Sequence, residues 1–186
     1  QDMTEYYHLQ ADDDISLVVD HEVLETPGKY IDGEVYVDYE TVHDRFNDRF
    51  YWDANENVLL YTLPDNLVTV AAGSNTYQVG KENQSADYTI VRNDSNTMYL
   101  ALDFVEQYTN ITHEVYEDPN RTVINTVWGD VDTAPAKKAT QLRLKGGIKS
   151  PIVKDLEKGE TLTILDAGDS WTKAMTEDGV IGYLKN

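Results

Sequence analysis

The sequence predicts an α+β domain made of two β-α-β-β units, followed by a small all-β barrel. Three observations predict it. One pattern of apolar and aromatic residues occurs twice, at an offset of 63 residues that becomes 64 after the helical stretch. The last 48 residues are short β-rich runs with turn residues every eight to twelve positions, the spacing of a small barrel. Charge changes where the pattern does: residues 139–186 hold seven Lys or Arg against seven Asp or Glu, which leaves the whole formal charge of −19 on the first 138 residues.

Residues 1–14, with the acid run Asp12, Asp13 and Asp14, lack periodicity and are expected to be a loose lead-in. Order is expected from Ile15, where "ISLVV" reads as an apolar strand. In "KYIDGEVYV" an Asp-Gly pair between β-formers predicts a hairpin over Tyr30 to Val37. Tyr39, Val42 and Phe46 then fall on one helical face, with Asp38 as N-cap. "RFYW" is extended, "DANEN" is a turn and "VLLYTL" a strand, and a Pro-Asp-Asn turn at 64–66 leads into "LVTVAA". The second copy aligns Tyr99 to Leu102 with Tyr36 to Tyr39, Val105 with Val42, Tyr116-Glu117 with Trp52-Asp53, and "TVI" with "VLL". One added loop residue accounts for the change of offset, and loops accept such insertions at small entropic cost. Residues 127–138 collect Gly, Pro, Ala and charge, the composition of a linker, and the barrel is expected over 139–186.

Hydrophobic content of 40% and charged content of 26% fit a soluble globular chain, and no apolar run is long enough to insert in a membrane. The acidic body repels phosphates and anionic lipid, which argues against nucleic acid as a partner. With no cysteine, disulfides, Cys-ligated zinc and thiol nucleophiles are excluded. The chain opens on Gln1 with no leader pattern, so an export signal was removed or never existed, and removal is the expectation.

Tyr36-Val37, Tyr39, Val42, Trp52-Asp53 and Val58-x-Leu60, restated by Tyr99-Leu100, Leu102 and Tyr116-Glu117, resemble the repeat of the copper amine oxidase N-terminal-like domain. That resemblance covers residues 15–126 and implies a secreted bacterial module. It does not imply copper: in amine oxidases the metal and the tyrosine-derived cofactor belong to a separate domain with three histidines and an Asn-Tyr-Asp/Glu site. Here His8, His21, His43 and His113 are scattered without metal-ligand spacing, so no metal and no cofactor is expected. "QLRLKGG", "LEKGETLTIL" and "WTKAMTEDGVIGYL" resemble a bacterial SH3-like domain, with Tyr183 where that family usually has Trp. Such modules bind peptidoglycan peptides or position wall hydrolases.

Catalytic signatures are not expected to contribute. Gly73-Ser74 is no nucleophile elbow, and "DANEN" fails as a calcium loop because Val58 and Pro64 stand at the required Gly and Glu positions. No catalytic residue is assigned, and the ligand contacts expected are Trp171 and Tyr183. The function expected is a noncatalytic cell-wall or envelope binding and positioning region of a larger secreted bacterial protein. Its catalytic domain, a chitinase-like glycan or peptidoglycan hydrolase, is expected beyond Asn186, with peptidoglycan or wall glycan or peptide as the partner. Two other classes stay open: a self-contained carbohydrate-active enzyme, and a protein-interaction scaffold without glycan affinity.

Overall fold

The computed structural model describes residues 3–126 and 132–186, of which 49% lie in strands and 7% in helices. From the N terminus, β1 (Asp14–Val19), β2 (Glu22–Val23), β3 (Gly28–Ile31) and β4 (Glu34–Asp38) lead to α1 (Tyr39–Thr41) and a π turn at Val42–Phe46. A meander follows: β5 (Phe50–Asp53), β6 (Val58–Thr62), β7 (Leu67–Ala71), β8 (Thr76–Val79) and β9 (Glu82–Ser85). Next come β10 (Val91–Asp94), β11 (Thr97–Ala101), α2 (Leu102–Glu106), β12 (Thr112–Tyr116) and β13 (Arg121–Asn125). The remaining strands are β14 (Thr133–Pro135), β15 (Thr140–Arg143), β16 (Ile152–Leu156), β17 (Thr161–Ala167), β18 (Trp171–Thr176) and β19 (Ile181–Lys185). They form two compact units. One holds Gln1–Gln10, Ser16–Thr26 and His113–Asn186, the other Ala11–Ile15 and Pro27–Thr112.

In the second unit the Asp32-Gly33 hairpin forms as expected, both residues taking positive φ (54° and 79°) and pairing Ile31 with Glu34. Asp38 caps α1: its carboxylate accepts the Thr41 amide at 3.0 Å and the Thr41 hydroxyl at 2.7 Å. The helix lasts one turn. Asn47 turns extended, and its amide closes a π turn on the Val42 carbonyl. Its side chain donates to the Tyr61 hydroxyl (3.1 Å), the Tyr108 carbonyl (3.1 Å) and the Thr109 hydroxyl (2.9 Å). Around it Phe50, Tyr61, Tyr77, Phe104 and Tyr108 pack ring against ring at centroid separations of 4.6 to 6.4 Å. The acid run has a task here as well. Lys29 reaches Asp14 at 2.8 Å and Asp13 at 3.0 Å; burial favours the neutral amine, but the two carboxylates outweigh it and raise the pKa.

In the first unit Ser16 to Val19 of β1 pair in parallel with Arg121 to Ile124 of β13, and β2 pairs with Val18 and Val19. A six-stranded antiparallel sheet runs in the order β14-β17-β18-β19-β15-β16 over a core of Leu142, Leu156, Leu162, Ala174 and Val180. Residues 3–9, expected to be loose, form a turn-rich strap closed by bonds from the Tyr7 amide to Met3 and the Leu9 amide to Thr4. Tyr7 is 1% exposed, packed with Val18, Val123 and Met175.

Two parts of the expected fold class are corrected. The described residues are nearly all β, in three sheets, and the two related segments do not fold as duplicated β-α-β-β units of an α+β domain. α1 and α2 have three and five residues, too few to form a layer. After α1 the strands β5 and β6 continue into the β7–β9 meander, whereas after α2 strand β13 pairs with β1. Similar local patterns therefore serve different sheets. The C-terminal sheet is open, not a closed barrel, because β14 and β16 stand at opposite ends of the strand order. Thr133–Pro135, within the segment read as a linker, pairs with β17; residues 127–131 of that segment lie outside the described residues. Replacing Asn47 with Ala is expected to lower the unfolding free energy by about 2 kcal/mol in urea denaturation, since the Thr109 hydroxyl loses this donor and the Tyr108 carbonyl keeps only the longer bond from the Tyr61 hydroxyl.

Candidate binding groove

Within the first unit, β18 and β19 place Lys173 directly opposite Tyr183 and Met175 opposite Ile181. Strand alternation puts Lys173, Tyr183 and Ile181 on one face. Gly182 lies between them for a steric reason: a Cβ there would sit 2.8 Å from the Arg143 carbonyl oxygen, so only glycine lets β15 come this close. The strap crosses this sheet at Tyr6, whose hydroxyl donates to the Ile181 carbonyl at 2.7 Å and accepts from the Ile181 amide at 2.9 Å. Tyr7 meets Tyr6 edge-on at 4.7 Å and bonds the Gly179 carbonyl at 3.3 Å. Burial pushes the pKa of both phenols up.

A groove of about 830 Å³ opens beside this contact. Met3, Glu5, Tyr6 and His8 of the strap form one wall, His21, Glu22 and Val23 around the β1–β2 turn a second, and Leu144, Pro151, Val153, Lys173, Ile181 and Tyr183 line the rest. Such a volume suits a ligand of several residues or sugar rings. The lining combines an aliphatic surface with two carboxylates, an ammonium, two imidazoles and phenols, which together can hold a polar chain by hydrogen bonds and apolar contact.

The position of this groove is fixed by the Asp178-Gly179 turn before β19. Arg121, 8% exposed along its side chain, donates from Nη2 to the Asp178 carboxylate and from Nε to its carbonyl, both at 2.8 Å. Nη1 donates to the Glu117 and Pro119 carbonyls at 2.8 and 3.0 Å, and the guanidinium lies over the rings of Tyr7 and Tyr116. Lys154 reaches Asp178 at 2.9 Å, and the Thr176 hydroxyl bonds the same carboxylate. Burial raises the Asp178 pKa, but the Thr176, Lys154 and Arg121 contacts outweigh it and hold the carboxyl below its usual range. Gly179, at φ +85°, lies against the parallel β1–β13 pair: a Cβ there would come within 2.7 Å of Val123.

Of the two expected ligand contacts, Tyr183 lines the groove and Trp171 does not. Trp171 opens β18 opposite Lys185, its ring against Gly146. The strap residues and His21, Glu22 and Lys173 were not read as site residues from sequence. The adjacent pair Tyr6-Tyr7 in a polar stretch was the one signal available. His8 and His21, distant in sequence, line the same groove, while His43 bonds Asp44 at 2.9 Å on the surface. In "DANEN", Asp53 accepts the Asn55 and Glu56 amides at 3.0 and 3.2 Å, as the expected hairpin turn requires.

Replacing Arg121 with Met is expected to cost about 3 kcal/mol in urea unfolding at neutral pH, since Asp178 and two carbonyls lose a buried donor. The Asp178 contribution is complete above the usual carboxylate range and is lost as pH falls through the lower folded-state pKa. The stability gap between the native chain and Asp178→Asn should therefore narrow as the medium is acidified below that range.

No curated protein and no solved structure matches the chain at a significant level. A family model does match: that of the copper amine oxidase N-terminal domain, over residues 18–125. This domain is a noncatalytic region. Since the match spans more than half of the 186 residues, the chain belongs to the copper amine oxidase N-terminal domain family.

Proposed function

We propose that the chain is a noncatalytic binding and positioning region that holds a larger secreted bacterial protein at the cell wall. The observation that carries this reading is the groove of about 830 Å³, with the Tyr183 ring and the Lys173 ammonium side by side on a sheet that Gly179 and Gly182 fix in place. Its ligand is a peptide or glycan of the envelope. Support comes from the noncatalytic nature of the matched family domain, and the reading extends the sequence resemblance of the runs in residues 139–186 to SH3-like modules that bind wall peptides. The activity so positioned is a glycan- or peptidoglycan-cleaving one elsewhere in the larger protein, and tethering raises its concentration at the wall without new catalytic contacts.

Sedimentation with purified bacterial cell walls tests the reading. The native chain is expected to pellet with them, and Tyr183→Ala to bind about fivefold more weakly, the effect of losing one aromatic anchor. A chain left in the supernatant at every wall concentration overturns the proposal.

A further inference from the structure

The five-stranded sheet β5–β9 has one face built into the core of the second unit, through Phe50, Leu59, Tyr61, Val68 and Val70. Solvent-facing sides of such sheets ordinarily carry charge, which keeps them soluble and unpaired. Here they do not. By strand alternation the outer face takes twelve side chains, and Asp53 is the one charged residue among them, its carboxylate engaged with the Asn55 and Glu56 amides. A face with a single charged residue in a chain of net charge −19 calls for an explanation.

The strand register supplies the geometry. Tyr51 pairs with Leu60, Leu60 with Thr69, Thr69 with Gln78 and Gln78 with Asn83, a single row across all five strands. Four inter-strand steps make it about 19 Å long. Tyr51, at one end, is 58% exposed. Toward the other end a cavity of about 220 Å³ opens, with Val58 and Ala71 as aliphatic floor and Thr69, Thr76, Gln78 and Asn83 as polar rim. Gln78 Nε2 donates to Asn83 Oδ1 at 3.3 Å, which leaves the Gln78 carbonyl and the Asn83 amide nitrogen to meet a ligand.

We infer that this face binds a neutral oligosaccharide. A pyranose ring presents C–H groups on its faces and hydroxyls at its rim, matching an aliphatic floor with an amide and hydroxyl edge. Tyr51 offers a flat ring on which a further sugar of the same chain stacks. Anionic ligands find no cation in the row, and cationic ones no free carboxylate. The inference uses none of the groove residues and does not depend on the wall-positioning reading.

The test is a titration of the full chain, labelled with nitrogen-15, with cellotetraose and with tetra-N-acetylchitotetraose, followed by amide NMR. Saturable shifts confined to residues 51–85 are expected with at least one of these neutral probes, with affinity about tenfold lower in Tyr51→Ala and Gln78→Ala and unchanged in Tyr183→Ala. Tyr51 and Gln78 are exposed, so both variants should fold, and their native spectra would show it. Three outcomes overturn the inference: no shift up to the solubility limit of either saccharide, binding insensitive to both substitutions, or sedimentation equilibrium showing a dimer that Tyr51→Lys abolishes. The last would make the face a contact between two copies of this chain. Failure here leaves wall sedimentation standing, and failure of wall sedimentation leaves this face untouched.

Discussion

A buried guanidinium with no charged neighbour is costly enough to unfold a domain of this size, and the first unit is arranged around avoiding that cost for Arg121. Each of the three nitrogens of its side chain donates to a partner: the Asp178 carbonyl, the carbonyls of Glu117 and Pro119, and the Asp178 carboxylate. Because Arg121 begins β13 and Asp178 sits in the turn before β19, the ion pair requires the C-terminal sheet to approach the β1–β13 pair at one point. Gly179 permits that approach sterically, and Tyr7 covers it with an aromatic ring.

The groove is a consequence of this arrangement. Once the turn at 178–179 is anchored, β19 starts at a fixed place, and Ile181 offers both backbone groups to the Tyr6 hydroxyl. The strap is thereby held open beside the sheet, and the space left between them becomes the groove. Tyr183 and Lys173 point into it for no reason beyond the two-residue period of a strand. Groove lining and close packing thus fall on adjacent residues of one strand, with Gly182 on the packed side and Tyr183 on the open one.

The second unit solves its burial problem with rings. Tyr61, Tyr77 and Tyr108 supply apolar faces to Phe50 and Phe104, while the Tyr61 hydroxyl bonds Asn47 and the Tyr108 carbonyl and the Tyr77 hydroxyl reaches Gln107. Tyrosine's abundance over phenylalanine, thirteen to three, is explained in part by such positions. Acid excess has a structural component as well: Asp13 and Asp14 hold Lys29, and Asp38 and Asp53 close local turns. Much of the remaining negative charge is left to solvent.

Local chemistry was legible in the sequence. The Asp32-Gly33 hairpin, the Asp38 cap and the Asp53 turn each depend on a few neighbouring residues, whose conformational preferences are intrinsic. Tertiary structure alone decided the partners. Two similar stretches enter different sheets because β6 pairs with β7 across the short turn at 64–66, whereas β13 pairs with β1, a partner about a hundred positions away that no periodicity encodes. It also decided that the strap is ordered, since Tyr6 and Tyr7 find their acceptors some 170 positions away: Ile181 at a separation of 175 residues and Gly179 at 172. Sequence fixes what each residue prefers next to its neighbours; burial, which depends on the whole chain, selects which of those preferences meet.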